Sequence, residues 1–392
     1  MFKPLPSKPQ MISVPIISNK NEENGVLKFQ LSKVDVSIAN ALRRIILSEI
    51  PCIVFKTSPY EENKSLIYTN TSRLNNEIIK QRLSCIPIHI NDLAFPIEDY
   101  ILEVNEKNDT DTIKIVTTED FKIKNVKNGK YLSKEAVHKI FPPDPISMSY
   151  IDFVRLRPRL SDEIDGEHIH LECSFTISNA KDDGMFNVVS CAAFGNTVNM
   201  SAANNAWREK ERQLKEEKIS DEDIEYAKKD WYALDALRNS TPNSFDFTIE
   251  TVGVFENENI VKQACDIMIQ KLQKFRQNIT DDSERLIEPV EATIRNCHDI
   301  KLEGEDYTLG KVIEYMLFEL EYLGSDVYNR DYKGTKKLIY CGFRKPHPHI
   351  DVSYIRVGGP KVDKRNISEM LIASADKAMS LFTKISQYFE VA

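Results

Sequence analysis

The chain lacks any pair of cysteines spaced to grip a metal. Its seven cysteines, at 52, 85, 173, 191, 265, 297 and 341, are scattered, odd in number and include no CxxC. That spacing encodes neither a zinc ribbon nor a disulfide framework and predicts a reducing compartment. A glycine-rich phosphate loop is missing too, as are a metal-ligand motif and a nucleophile–base arrangement, so an independent enzyme is not predicted and no cofactor or metal is expected. No run approaches the roughly 20 apolar residues that span a bilayer, and the N-terminal MFKPLPSKPQMISVP lacks the apolar stretch of a signal peptide. An intracellular protein without a membrane partner is expected. A basic excess is absent as well. The formal net charge of −8 argues against a protein that coats phosphate backbone, because that affinity comes from clustered Lys and Arg.

What is present is a core and a repeat. With 392 residues, 41% hydrophobic and 29% charged, the chain is long enough for two or three domains. Near the N-terminus, Asp35, Ser37, Ile38, Leu42 and Ile46 keep the same spacing as Asp306, Thr308, Leu309, Ile313 and Leu317 near the C-terminus. Phe29 and Leu31 precede Asp35 as Ile300 and Leu302 precede Asp306, and FDFTIETVG (Phe245 to Gly253) reads like IDVSYIRVG (Ile350 to Gly358). Two copies at fixed spacing predict a pseudo-symmetric pair of folding units.

Residues 1 to about 25 read as an extended lead-in and Val26 to Leu31 as a half-buried strand. Asp35 or Ser37 then caps a helix. On that helix Ile38, Leu42, Ile45 and Ile46 make an apolar stripe, while Asn40, Arg43, Arg44 and Leu47 point elsewhere, until Pro51. The first module is assigned to 1–57 plus 243–280, an inserted mostly β domain to 58–242, a polar linker to 281–291 and the second module to 292–392. Short β-like runs are predicted at Ile86 to Ile90, Tyr100 to Val104, Thr112 to Val116 and His168 to Ile177. The insert is predicted to end in a charged helical stretch, Ala203 to Arg238, anchored by Trp207 and Trp231. Each module closes with an amphipathic helix: Ile260, Ala264, Ile267, Met268, Leu272 and Phe275 in the first, and Ile367, Met370, Leu371, Ala378, Leu381, Phe382 and Ile385 in the second. Stripes of that length are covered most economically by packing one module on the other. Ile38, Leu42, Ile46, Leu309, Ile313, Leu317, Met370 and Leu381 are therefore assigned to module–module packing.

These same residues carry a family resemblance. SIANALRRIILSEIP (Ser37 to Pro51), RLSCIPI (Arg82 to Ile88) and FTIETVG (Phe247 to Gly253) resemble the bacterial RNA polymerase alpha subunit, its archaeal D-type counterpart and the third subunit of eukaryotic RNA polymerase II. EDYTLGKVIEYML and YCGFRKPHPHIDVSYIRV resemble the smaller partner, the archaeal L-type protein or the eleventh subunit of polymerase II. The resemblance implies an α+β fold of two dimerisation modules joined as a pseudo-heterodimer. It implies a non-catalytic assembly subunit on which the two large catalytic subunits, with small assembly subunits, gather. Nucleic acid is then met only indirectly and no homo-oligomer is expected. Asn40, Arg43, Arg44 and Glu49 become the large-subunit interface. Fusion of both halves is similar to the arrangement in large cytoplasmic DNA viruses, which implies virion and host cytoplasm, with the nucleus as alternative. The family's cysteine cluster is missing: Cys85, Cys173 and Cys191 lie far apart. NAKDDGMFNVVS (Asn179 to Ser190) lacks the family's His and Pro, so contacts through that loop are not carried over.

Other motifs have plainer readings. His347 and His349 are read as a strand-edge turn, since no third ligand stands nearby. Cys297 and His298, adjacent on a strand, point to opposite faces. The alternating arginines of VRLRPRL (Val154 to Leu160) fit phosphate, an acidic partner or a plain exposed strand equally. A stand-alone nucleic-acid-binding dimerisation module remains the alternative function.

Overall fold

A computed structural model describes residues 14–159, 161, 165–323, 336–360 and 362–390. The first residues of the expected lead-in and Leu160 of the arginine motif lie outside the described residues. The chain divides into two compact units: residues 1–46, 191–250 and 257–392 form one, and residues 47–190 with 251–256 form the other.

The first unit opens with a hairpin of β1 (Ile16–Glu23) and β2 (Val26–Ser32). The described end of the lead-in is thus mostly strand. Leu27, Phe29 and Leu31 face inward by strict alternation and are at most 2% exposed. Helix α1 (Val36–Ser48) follows, started by Asp35, whose Oδ1 accepts the Ser37 N–H at 2.8 Å. Ile38, Ala39, Ala41, Leu42, Ile45 and Ile46 form its buried face.

The chain then enters the second unit through β3 (Cys52–Val54), β4 (Ser65–Asn70) and α2 (Asn76–Ser84). Next come β5 (Tyr100–Lys107), β6 (Lys114–Thr117), β7 (Lys122–Asn125) and α3 (Lys134–Ile140). β8 (Asp152–Leu156), β9 (His168–Ser174) and β10 (Thr176–Ser178) complete it. A four-stranded sheet ordered β4-β9-β5-β7 is accompanied by the ribbons β6-β8 and β10-β3. Their common core includes Phe55, Leu83, Leu102, Val104, Phe153, Leu156 and Leu171. The expected strand Ile86 to Ile90 is instead an extended segment outside any sheet. Pro87 supplies no N–H for a ladder, yet Ile86, Ile88 and Ile90 still turn into the core. The single run expected at His168 to Ile177 is split into β9 and β10, with Phe175 between them buried in the core.

Back in the first unit, β11 (Val189–Val198), α4 (Met200–Glu216), α5 (Asp221–Ala233) and β12 (Ser240–Thr251) complete a sheet ordered β1-β2-β12-β11. The insert boundaries of 58–242 therefore need correction. β11 belongs to the first module's own sheet, and the charged stretch is a helical hairpin between β11 and β12. It breaks at Lys218, with Ser220 capping α5 by accepting the Asp223 N–H. Trp207 is 3% exposed, and its ring lies 6.1 Å from that of Trp231.

Helix α6 (Asn257–Leu286) closes the first module and leads directly into β13 (Ile287–Val290). The polar linker expected at 281–291 is absent: these residues hold the end of α6, after a break at Asp282, and an edge strand paired to β14 (Cys297–Glu303). Polarity misleads here because an edge strand and a helix end face water on one side. The second module continues with α7 (Tyr307–Glu321), β15 (Tyr340–Arg344), β16 (Val352–Gly358) and α8 (Lys364–Ser386), its sheet ordered β13-β14-β16-β15. The order of strands and helices repeats that of the first module.

One detail of the repeat shifts. Phe29 pairs with Phe247, whereas Ile300, its counterpart, pairs with Ile355. Phe247 therefore corresponds to Ile355, not to Val352 as the matched nonapeptides suggest. Odd shifts exchange the two faces of a strand, and the structural pairing is the one that puts Phe245, Phe247 and Ile249 on the same buried side as Ser353, Ile355 and Val357.

Candidate assembly interface

The two modules meet within the first unit by exchanging helices. α6, from the first module, lies along α8 of the second and also touches α7, β13 and β14. Its buried face is Ile260, Val261, Ala264, Cys265, Met268, Leu272, Phe275 and Ile279, and Ile267 is only half-buried. The exchange is returned at the C-terminus. Phe389, just past α8, is fully buried with its ring edge-on to Phe29 of the first sheet at 5.1 Å, and Phe29 stacks on Phe247 at 5.0 Å. Burying a side chain of this size contributes about 1.5–3 kcal/mol. Ile38, Leu42, Ile46, Leu309, Ile313, Leu317, Met370 and Leu381 are all buried, none more than 4% exposed.

Polar contacts cross the same seam. Lys20 Nζ, paired with Glu258 of its own module at 3.0 Å, donates across the seam to the Tyr388 carbonyl at 3.4 Å. Lys271 pairs with Glu305 at 3.0 Å, both side chains being largely buried, and Arg276 pairs with Asp376 at 3.4 Å.

One residue at this seam has a partner within the chain that sequence reasoning does not foresee. Arg44 is expected to face a partner, but its Nη2 donates to Asp306 Oδ2 at 2.6 Å and its Nε to Thr308 Oγ1 at 2.9 Å. It closes on the capping aspartate of the other module's helix. A helical wheel places Arg44 off the apolar stripe, but it says nothing of a second helix N-terminus arriving on that side. Burial pushes the Asp306 carboxyl up, but the Thr308 N–H and hydroxyl, with the charges of Arg44 and Lys271, outweigh it and hold the group below the ordinary aspartate range. The Thr308 N–H donates to Asp306 Oδ1 at 2.8 Å, the same cap that Asp35 makes on Ser37.

The repeat puts a different side chain at the equivalent position of the second module. Tyr315 stands in α7 where Arg44 stands in α1, counted from the capping aspartates. Burial pushes its phenol up, reinforced by the neighbouring Glu319 and by Asp35. Burial likewise raises Glu319, against its Tyr315 hydrogen bond. The position that is ionic in α1 thus carries a phenol–carboxyl pair within α7.

The remaining expected interface residues are differently disposed. Arg43 donates from Nε and Nη2 to the Asn40 side-chain oxygen at 3.1 and 2.9 Å, so this pair is held one turn apart on the half-buried side of α1. Glu49 sits in the turn after α1, partly buried and engaged within the chain.

The other motifs are dispersed. His347 Nδ1 accepts the His349 N–H at 3.2 Å in an exposed turn. Cys297 is buried, with its thiol pushed up chiefly by that burial, beside a half-exposed His298. Cys85 is exposed, Cys173 buried and Cys191 intermediate. Among the described residues, no group of three His, Cys, Asp or Glu side chains is placed to hold a metal.

Comparison with known proteins bears on this geometry. Residues 28–272 match the RNA polymerase Rpb3/Rpb11 dimerisation domain. The DNA-directed RNA polymerase subunit Rpo3 of Pyrococcus furiosus is 26% identical over 279 residues, covering 67% of this chain and 95% of that protein. The DNA-directed RNA polymerases I and III subunit rpac1 of Dictyostelium discoideum is 25% identical over 294 residues, covering 66% of this chain and 80% of that protein. Human RPAC1, a subunit of DNA-directed RNA polymerases I and III, is 40% identical over 74 residues, only 19% of each chain. The matched domain spans more than half of the chain, from the second strand of the first sheet into the helix that crosses to the second module, and the protein belongs to the RNA polymerase Rpb3/Rpb11 dimerisation-domain family.

Proposed function

We propose that this chain is a non-catalytic assembly subunit of a multisubunit DNA-directed RNA polymerase, with both halves of the assembly pair in one polypeptide. The observation that carries it is the joining of an Rpb3/Rpb11 dimerisation domain to a second module of the same strand and helix order, with α6 of one laid along α8 of the other. Such a unit offers a preassembled platform and no reaction chemistry. It assembles with other polymerase subunits. The finer reading is that it gathers the two large catalytic subunits together with small assembly subunits and meets nucleic acid only through them. The paired Asn40 and Arg43 on α1 support a large-subunit contact, because a guanidinium braced by one amide keeps donors for a partner's carboxylate or carbonyl. Work inside the cell follows from the same reading. Having both halves in one chain supports a large DNA virus as source, with virion and viral factory as its places and the nucleus as alternative.

Co-expression with large polymerase subunits tests this. Wild type is expected to co-purify with them at one-to-one stoichiometry. Arg43→Glu should keep the fold and lose incorporation, since opposed charge at a desolvated contact costs on the order of several kcal/mol. Equal incorporation of Arg43→Glu and wild type would remove the large-subunit face. Salt-sensitive DNA or RNA binding by the isolated chain, without polymerase subunits, would favour the stand-alone nucleic-acid module instead.

A further inference from the structure

The four-stranded sheet of the second unit carries an acidic pair in its outward face. Leu102, Val104, Ile123, Leu171 and Cys173 turn into the core, so the residues alternating with them look outward. There Leu66, Glu172, Glu103 and Lys122, on β4, β9, β5 and β7, are successive cross-strand partners. They form one continuous row across the sheet. Glu172 thus stands directly opposite Glu103, and like charges so placed cost stability.

Rings line this row. The Tyr68 hydroxyl donates to Glu172 at 2.8 Å and the Tyr131 hydroxyl to Glu103 at 2.6 Å. Tyr68 also lies against His170, with ring centroids 4.7 Å apart. Each phenol is held above the ordinary tyrosine value, chiefly by the hydrogen bond to its own carboxylate, and each feels the other carboxylate too. Tyr68, Tyr131 and Leu66 are 51, 48 and 56% exposed, so this face lies open. Hydroxyls are neutral. Both carboxylates therefore keep their charge and, with about four acceptor positions apiece, most of their acceptor capacity. Among the described residues neither has an ion pair. Lys122 is the ladder partner of Glu103 yet forms none with it, Lys124 lies over the Tyr131 ring at 5.9 Å, and Lys107 is taken by Asp109 and Asp165.

We propose that this sheet face docks an arginine-bearing segment of a partner protein, one guanidinium lying between Glu103 and Glu172 with its plane against the Tyr68 and His170 rings. Charge decides among occupants. A neutral or apolar segment would bury two carboxylates without a counter-charge, which is strongly unfavourable, and an acidic peptide or a phosphate backbone would add to the repulsion. A cation relieves it. Arginine suits the row better than lysine, because a planar fork bonds carboxylates at two points and stacks on aromatic faces. The proposal does not depend on the polymerase reading.

The test uses the full chain and a fluorescein-labelled peptide of alternating arginine and leucine, read by fluorescence anisotropy. Its comparator replaces each arginine by citrulline, which keeps the shape and removes the charge. Saturable binding of the arginine peptide is expected, with binding of the citrulline peptide weaker by about tenfold or more. The pair Glu103→Gln and Glu172→Gln should weaken arginine-peptide binding by about tenfold or more, and Tyr68→Ala by about threefold. Glu209→Gln with Glu216→Gln, two exposed residues of α4, removes the same charge elsewhere and should leave binding unchanged. The thermal midpoint of the Glu103 and Glu172 pair variant should not fall, since the change removes opposed like charges, so lost binding is not lost folding. Absence of saturable binding, equal binding of the citrulline peptide, or wild-type affinity in that pair variant overturns the proposal. An equal loss from the α4 pair overturns it in favour of diffuse acidity, in a chain whose formal net charge is −8.

Discussion

Arg44 and Arg43 are neighbours in sequence with different fates. Arg44 spends its guanidinium on Asp306 and Thr308, while Arg43 is braced by Asn40. Arg44→Ala is expected to destabilise the first unit by about 1–2 kcal/mol, a modest value because the Arg44 and Asp306 side chains are each 33% exposed. Chemical denaturation checks this, and Arg43→Ala should stay within about half a kcal/mol of wild type. The pH response follows from Asp306. Its carboxyl titrates lower folded than unfolded, so its stabilisation is complete above the ordinary aspartate value and is lost as pH falls through the folded value. Asp306→Asn should therefore be less stable than wild type at neutral pH and should converge with it only in acid, below the lowered folded value. Glu319 has the opposite sign, because burial raises it and ionisation above the ordinary glutamate value costs stability. Glu319→Gln should match or exceed wild type at neutral pH.

Glycine and aromatic packing set the tolerance of single elements. A Cβ at Gly166 would lie 1.7 Å from the Asn108 carbonyl oxygen, and a backbone atom cannot swing aside as a side chain can. Gly166→Ala is expected to cost more than about 2 kcal/mol in the second unit, read as a lowered midpoint of its unfolding transition. Phe389→Ala should cost about 3–5 kcal/mol in the first unit, since it removes a fully buried ring that rests on Phe29. At this scale the sequence is a partial guide. Period and caps locate α1, α7 and both closing helices, because amphipathic spacing and a capping aspartate are local properties. The strand Ile86 to Ile90 fails because alternation reports which side is buried and not whether a neighbour strand is present. The linker fails for the converse reason: residues that look like polar coil can still pair along one edge.

Over the whole molecule, the exchange of helices makes the two modules mutually dependent. A protease site inserted in the turn between β13 and β14, near Ala292, should yield fragments that stay together after cleavage. Each would otherwise expose the stripe of α6 or α8, more apolar surface than soluble monomers usually tolerate. Co-elution on size exclusion at micromolar concentration checks this; two separately eluting, folded fragments would sink the packing argument. Purified protein should also contain far less than one zinc or iron per chain by elemental analysis, because its cysteines are dispersed through the fold.

The sequence by itself determined the repeat, the approximate helix starts near Asp35 and Asp306, the buried stripes and the family resemblance. Each is written in local spacing. Only the tertiary structure decided which strands pair with which, that β11 and its helical hairpin belong with the first sheet, and that Arg44 pairs with Asp306. Those outcomes depend on which groups meet across long stretches of chain. The three-residue slip between the matched nonapeptides and the real ladders makes the point. Resemblance in sequence aligned the residues, but burial on one face of a pleated strand fixed the register.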